Sequence, residues 1–79
     1  MEIQPLIKMA NQIGQFFEAW PDPTQARSEI ANHLQRFWEP RMRRAIVAHV
    51  EQGGEGLELP VRDAVKLLAE RQTGVSAGS

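Results

Sequence analysis

Apolar residues recur along this chain at steps of three and four, and prolines or glycines break the pattern at three places. Ile3, Leu6, Ile7, Ala10, Ile13, Gly14 and Phe17 form the first stripe, the period of a helix with one face turned inward. Met9, Phe16 and Trp20 lie off that stripe. This helix therefore carries apolar surface on a second side, suited either to burial between two neighbours or to a partner. Trp20-Pro21-Asp22-Pro23 ends it, because each proline drives the preceding residue out of the helical region. Asp22 then reads as the N-cap, and Pro23 as the first residue, of a second helix. That helix presents Ala26, Ile30, Ala31, Leu34 and either Phe37 or Trp38 on one face, with Arg27, Glu29, Gln35 and Arg36 largely on the other. The short connection predicts an antiparallel helical hairpin.

Trp38-Glu39-Pro40 interrupts the period, and Met42, Ala45, Ile46, His49 and Val50 resume it at once. Pro40 could start a new helix or kink a single long one; a bend sharp enough to make two helices is the reading adopted. Residues 51–58, EQGGEGLE, hold three glycines and form the clearest loop. Val61, Ala64, Val65 and Leu68 give a short final helix, with Pro60 placed as its first residue and Asp63 in its first turn. Residues 1–72 read as a single domain and residues 73–79 as a flexible tail. Strand-like alternation is confined to residues 57–61, and no internal repeat is legible. The fold class is all-α, a small bundle of four helices with a proline bend at Trp38-Glu39-Pro40.

Composition sharpens this picture in three ways. At 79 residues without a cysteine, the chain has neither the disulfides nor the thiolate clusters that usually reinforce a domain of this size. A small core, a partner, or both must stabilise it. Net charge is −1, so no overall field draws the chain to nucleic acid or membrane. No window approaches the run of about 18 apolar residues that a membrane span needs. The first stretch also lacks the basic start and unbroken apolar core of a signal peptide. A cytoplasmic location is expected.

Candidate chemistry is sparse. His33 and His49 are sixteen residues apart on different helices, with no ligand at His-x-x-x-His or Glu-x-x-His spacing. They read as one partly buried histidine and one polar surface or interface histidine. Ser28 precedes His33 by five residues, which separates the two around a helix axis. Gly53, Gly54 and Gly56 lack the Lys-Ser/Thr pair and preceding strand of a phosphate loop. The chain is expected to be non-catalytic, with no metal or cofactor of its own.

Residues 30–44, IANHLQRFWEPRMRR, are the distinctive stretch. Arg36, Arg41, Arg43 and Arg44 surround Phe37, Trp38 and Pro40. Arginine beside exposed aromatics can hold phosphates and stack bases, so a small nucleic-acid-binding helical module is one reading. Arginine and tryptophan are also the residues most enriched at protein–protein hot spots, and the net negative charge favours a protein partner. Trp38 as core, with the arginines as a solvated face, competes with both.

The segments MANQIGQFF (residues 9–17), IANHLQRFWEPRMRR (residues 30–44) and LxLPVRDAVKLL (residues 57–68) together resemble the delta subunit of soluble NAD-dependent formate dehydrogenases, over about residues 7–70. The resemblance implies a cytoplasmic complex that oxidises formate to carbon dioxide and reduces NAD⁺. In such a complex the alpha subunit holds a bis-molybdopterin-guanine-dinucleotide (bis-MGD) molybdenum centre. Iron–sulphur clusters and FMN in the alpha, beta and gamma subunits carry the electrons. The delta subunit is then a non-catalytic accessory to stability or maturation. Arg36, Phe37, Trp38, Pro40, Arg41, Arg43 and Arg44 are expected to dock it onto a large subunit, the alpha subunit first. A homodimer of the isolated chain, paired through the second apolar face of the first helix, is a further expectation.

Overall fold

The computed structural model places four helices in order: α1 Ile3–Phe17, α2 Pro23–Phe37, α3 Pro40–Glu51 and α4 Leu59–Gly78. The structure describes the backbone of residues 2–78 and the side chains of residues 2–71. Of the tail expected over residues 73–79, the backbone of 73–78 belongs to α4, while its side chains and Ser79 lie outside that set. The described residues contain no strand.

The inward stripes are those the spacing predicts. Leu6, Ile7, Ala10, Gly14 and Phe17 of α1 are buried, as are Ala26, Ile30, Ala31 and Leu34 of α2. Ile46 and Val50 bury the centre and end of α3. Val61, Ala64, Val65 and Leu68 of α4 are fully enclosed, and they are the short apolar run on which the last helix packs. At the start of the hairpin Phe17 lies beside Pro23 and Ala26, while Met9 shares a groove with Phe37, so α1 and α2 run antiparallel. Asp22 caps α2 by accepting a 2.9 Å hydrogen bond from the Thr24 N–H, with Pro23 behind it.

Two devices lock α4 into place. Gly14 lets α1 and α4 approach so closely that a Cβ there would overlap the Val61 Cγ2 methyl. At the far end Arg71 spans to α2, donating from Nη1 to Asn32 Oδ1 at 2.7 Å and from Nη2 to Ser28 Oγ at 3.2 Å. The helix itself begins at Leu59, one residue ahead of the expected start, which leaves Asp63 beyond the first turn.

The connections differ in length and chemistry. Between α2 and α3 only Trp38 and Glu39 leave the helical region, with ψ of 140° and 150°. Pro40 forces the extended conformation on Glu39 and serves as the first residue of α3, so the bend separates two helices. After α3 the chain closes in a Schellman motif: Gly54 N–H donates to the His49 carbonyl and Gly53 N–H to that of Val50, each at 3.0 Å. Gly53 has φ +121° and Gly54 φ +67°, and the left-handed turn explains why glycine occupies both places.

Candidate functional site

The arginine–aromatic stretch divides into an inner and an outer set. Trp38 is only 5% exposed: its extended backbone swings the indole into the core, where α2's inward face ends. The choice between Phe37 and Trp38 is thus settled by the bend. Phe37, still helical, stays outside and is 68% exposed. Arg43 is half-buried and turned back on the corner. Its Nη1 donates to the Trp38 carbonyl at 2.6 Å and to the Gln35 carbonyl at 3.0 Å, satisfying oxygens that the end of α2 leaves free. Its Nε is buried with no partner among the described residues. Arg43 therefore fastens the bend.

Arg36, Pro40, Arg41 and Arg44 are exposed. Pro40 is engaged in starting α3. Arg36 sits in the last turn of α2, where a cation suits the helix dipole, and its guanidinium carbon lies 5.8 Å from the Phe37 ring centre. Among the described residues, arginine side chains that make hydrogen bonds are Arg27, Arg43, Arg62 and Arg71; Arg36, Arg41 and Arg44 make none.

Beside this corner runs a groove of about 470 Å³ between α1 and the end of α2. Its α1 wall is Met9 and Phe16 of the second apolar side, with Ile13 of the inward stripe and Gln12 between them, and its α2 wall is His33 and Phe37, with Trp38 at the end. Trp20, the third residue of that second side, lines a separate pocket with Pro23 and Leu59. Phe16 is 73% exposed. The rings interlock: Phe16 meets Phe17 edge-on at 5.0 Å, Phe17 meets His33 edge-on at 6.5 Å, and His33 lies 4.8 Å from Phe37. Such contacts hold the walls at fixed spacing. The off-stripe position of Met9 and Phe16 signals a second apolar face from sequence alone. Its continuity with His33 and Phe37 depends on the hairpin.

His33 thus belongs to the groove. His49 instead donates from Nε2 to the Glu55 carbonyl at 2.7 Å, since a carbonyl can only accept. Among the described residues no group of three His, Cys, Asp or Glu side chains could hold a metal ion. No described helix is long and apolar enough to cross a membrane.

Fold and site together define a small all-α module with an open aromatic groove, beside which Arg36 lies near the Phe37 ring. A model of the family described as NADH-dependant formate dehydrogenase delta subunit FdsD matches residues 5–65, most of the chain, and the chain belongs to that family. Membership carries association with the other subunits of formate dehydrogenase. No curated protein and no solved structure matches the chain.

Proposed function

We propose that the chain is a non-catalytic delta subunit that docks on the large subunits of a cytoplasmic NAD-dependent formate dehydrogenase and supports assembly, stability or molybdenum-cofactor insertion. The alpha subunit is the partner proposed. The bis-MGD molybdenum centre, the iron–sulphur clusters, FMN and NAD belong to the large subunits in this reading. The chain itself has no cysteine to ligate a cluster.

The observation that carries the docking role is the outward placement of Phe16 and Phe37 on one groove. A chain of this size has little apolar surface to spare from its core, and exposed contiguous aromatics mark interaction sites. Of the expected docking residues, Arg36, Phe37, Arg41 and Arg44 are the ones free to meet a partner, whereas Trp38 and Arg43 shape the corner that presents them.

The test is to purify the complex from cells making the large subunits with and without this chain. Molybdenum content, subunit stoichiometry and formate-dependent NAD⁺ reduction are then compared. The reading expects lower molybdenum content or incomplete complexes without the chain. Identical preparations would overturn the supporting role.

A further inference from the structure

We infer that the groove between α1 and α2 receives an apolar segment of the large subunit flanked by carboxylates, its apolar side chains entering between Phe16 and Phe37 and its acids pairing with Arg36, Arg41 and Arg44. The inference rests on the subunit role proposed above and names the chemistry of what is bound.

The shape of the groove comes first. Its two walls are aromatic rings that stand mostly in solvent, and a small molecule held there could not be enclosed as ligand pockets enclose theirs. A protein surface can cover such a shelf, and rigid aromatic walls with a half-buried floor are the form hot spots take. The charge is the second argument. Within one turn of Phe37 and Trp38 the exposed charged residues are Arg36, Glu39 and Arg41, and Arg44 follows one turn further along α3. Along residues 36–44 three exposed arginines stand against one exposed glutamate, although the chain as a whole carries −1.

Arg36, Arg41 and Arg44 also make no side-chain hydrogen bond within the described chain. Each keeps a planar fork that matches a carboxylate on two atoms. Arg41 and Arg44, three residues apart on one helix, project from the same side of it. Arg36 is held against the Phe37 ring, so charge and apolar wall are presented as one unit. The same arrangement argues against a second copy as occupant. A two-fold contact would bring two equally basic patches into one interface, where like charge opposes association.

The experiment uses the complex co-expressed with the full-length chain, in which Phe37 is replaced by the photoreactive p-benzoyl-phenylalanine. Illumination should attach the chain to one peptide of the large subunit. That peptide should carry Asp or Glu within about one helical turn of the attachment, roughly four residues. Attachment to a second copy of the chain, to nucleic acid, to a peptide without acids, or to nothing in the intact complex would each overturn the inference. In parallel, Phe16→Ser with Phe37→Ser should lower retention of the chain on the purified complex by at least about tenfold. Arg41→Glu with Arg44→Glu should lower it too and flatten its dependence on salt. Both variants must keep the wild-type helical melting curve, which their exposure predicts. If the wild-type chain is retained and both variants are retained equally, the groove is not the site while the subunit role stands. If the wild-type chain never accompanies the large subunits, role and inference fall together.

Discussion

At the α2–α3 corner Arg43 reaches back five residues to the Trp38 carbonyl and eight to that of Gln35; at the α3–α4 connection Arg62 reaches back five to Leu57 and eight to Gly54. Trp38 and Leu57 are both buried, and each precedes a glutamate whose carbonyl accepts the N–H of the same arginine, at 3.0 and 2.9 Å. Both arginines also leave Nε buried without a partner among the described residues. The hexapeptides Trp38-Glu39-Pro40-Arg41-Met42-Arg43 and Leu57-Glu58-Leu59-Pro60-Val61-Arg62 thus solve one problem in one way. An apolar anchor sits ahead of a new helix, a proline lies in that helix's first turn, and an arginine further along it ties down the carbonyls behind.

What surrounds the two anchors is different. The α3–α4 connection is sealed by its neighbours: the Asn11 side chain donates to the Gly56 carbonyl at 2.9 Å and accepts from the Glu58 N–H at 3.0 Å, and His49 holds Glu55. The α2–α3 corner has Arg43 alone, and next to it Phe37 stands in solvent beside unengaged arginines. Local self-sufficiency separates a structural turn from a presenting one. The first has its polar groups met from within, while the second keeps aromatic and cationic groups available.

Removing the anchors tests the shared half of that comparison and should give the largest effects. Trp38→Ala is expected to cost about 3–5 kcal/mol and Leu57→Ala about 2–5 kcal/mol, the range for emptying a buried site. A core of this size supplies only about 3–5 kcal/mol in total. Trp38→Ala should therefore abolish the cooperative thermal transition followed by circular dichroism. A Trp38→Ala protein melting within a few degrees of wild type would mean that the corner is not anchored by its indole. For the same reason Trp38→Ala cannot report on docking, because loss of binding would follow from loss of fold.

The arginines test the difference at intermediate size. Arg43→Met removes bonds of 2.6 and 3.0 Å, and no other side-chain hydrogen bond among the described residues reaches that corner. Arg62→Met removes bonds of 3.4 and 3.5 Å from a connection that Asn11 and His49 still hold. Stranding carbonyl acceptors costs about 1–3 kcal/mol when they stay buried. Arg43→Met should lie toward the upper end, and Arg62→Met nearer the lower end or below it. At about 4–8 °C of melting temperature per kcal/mol for small domains, the two are separable by one melting experiment each. Equal shifts would break the contrast between an open and a sealed connection.

Much of this organisation was legible before any coordinates, and the rest was hidden for definite reasons. The inward stripes and the Asp22-Pro23 cap follow from spacing and local chemistry, which depend on one helix at a time. The family resemblance carried by residues 9–17, 30–44 and 57–68 agrees with the match over residues 5–65. Phe37 and Trp38 could not be told apart, because adjacent residues straddle the edge of the inward face. Only the extended turn at Trp38 decides which ring goes in. Arg43 looked like part of an exposed cluster, since its partners lie behind it across a bend. The likeness of the two hexapeptides escapes a search for repeats, because only the glutamate and the arginine coincide and the proline is shifted by one position. Phe16 and Phe37, 21 positions apart, become one surface only through the antiparallel hairpin.

The smallest stability effect is the most telling one for function. Phe37→Ser replaces an exposed ring whose internal contacts are His33 at 4.8 Å and the Arg36 guanidinium at 5.8 Å. Losing one aromatic contact at the surface is worth about 0.5–1 kcal/mol, so the melting temperature should fall by only a few degrees. Trp38 one residue later should be several times more costly, although the two rings are neighbours in sequence and both border the groove. That gap turns the pair into an internal control. If Phe37→Ser unfolds the chain as Trp38→Ala does, Phe37 is core and the groove is an accident of packing. If it leaves the fold intact and still separates the chain from the complex, the ring was left outside for a partner.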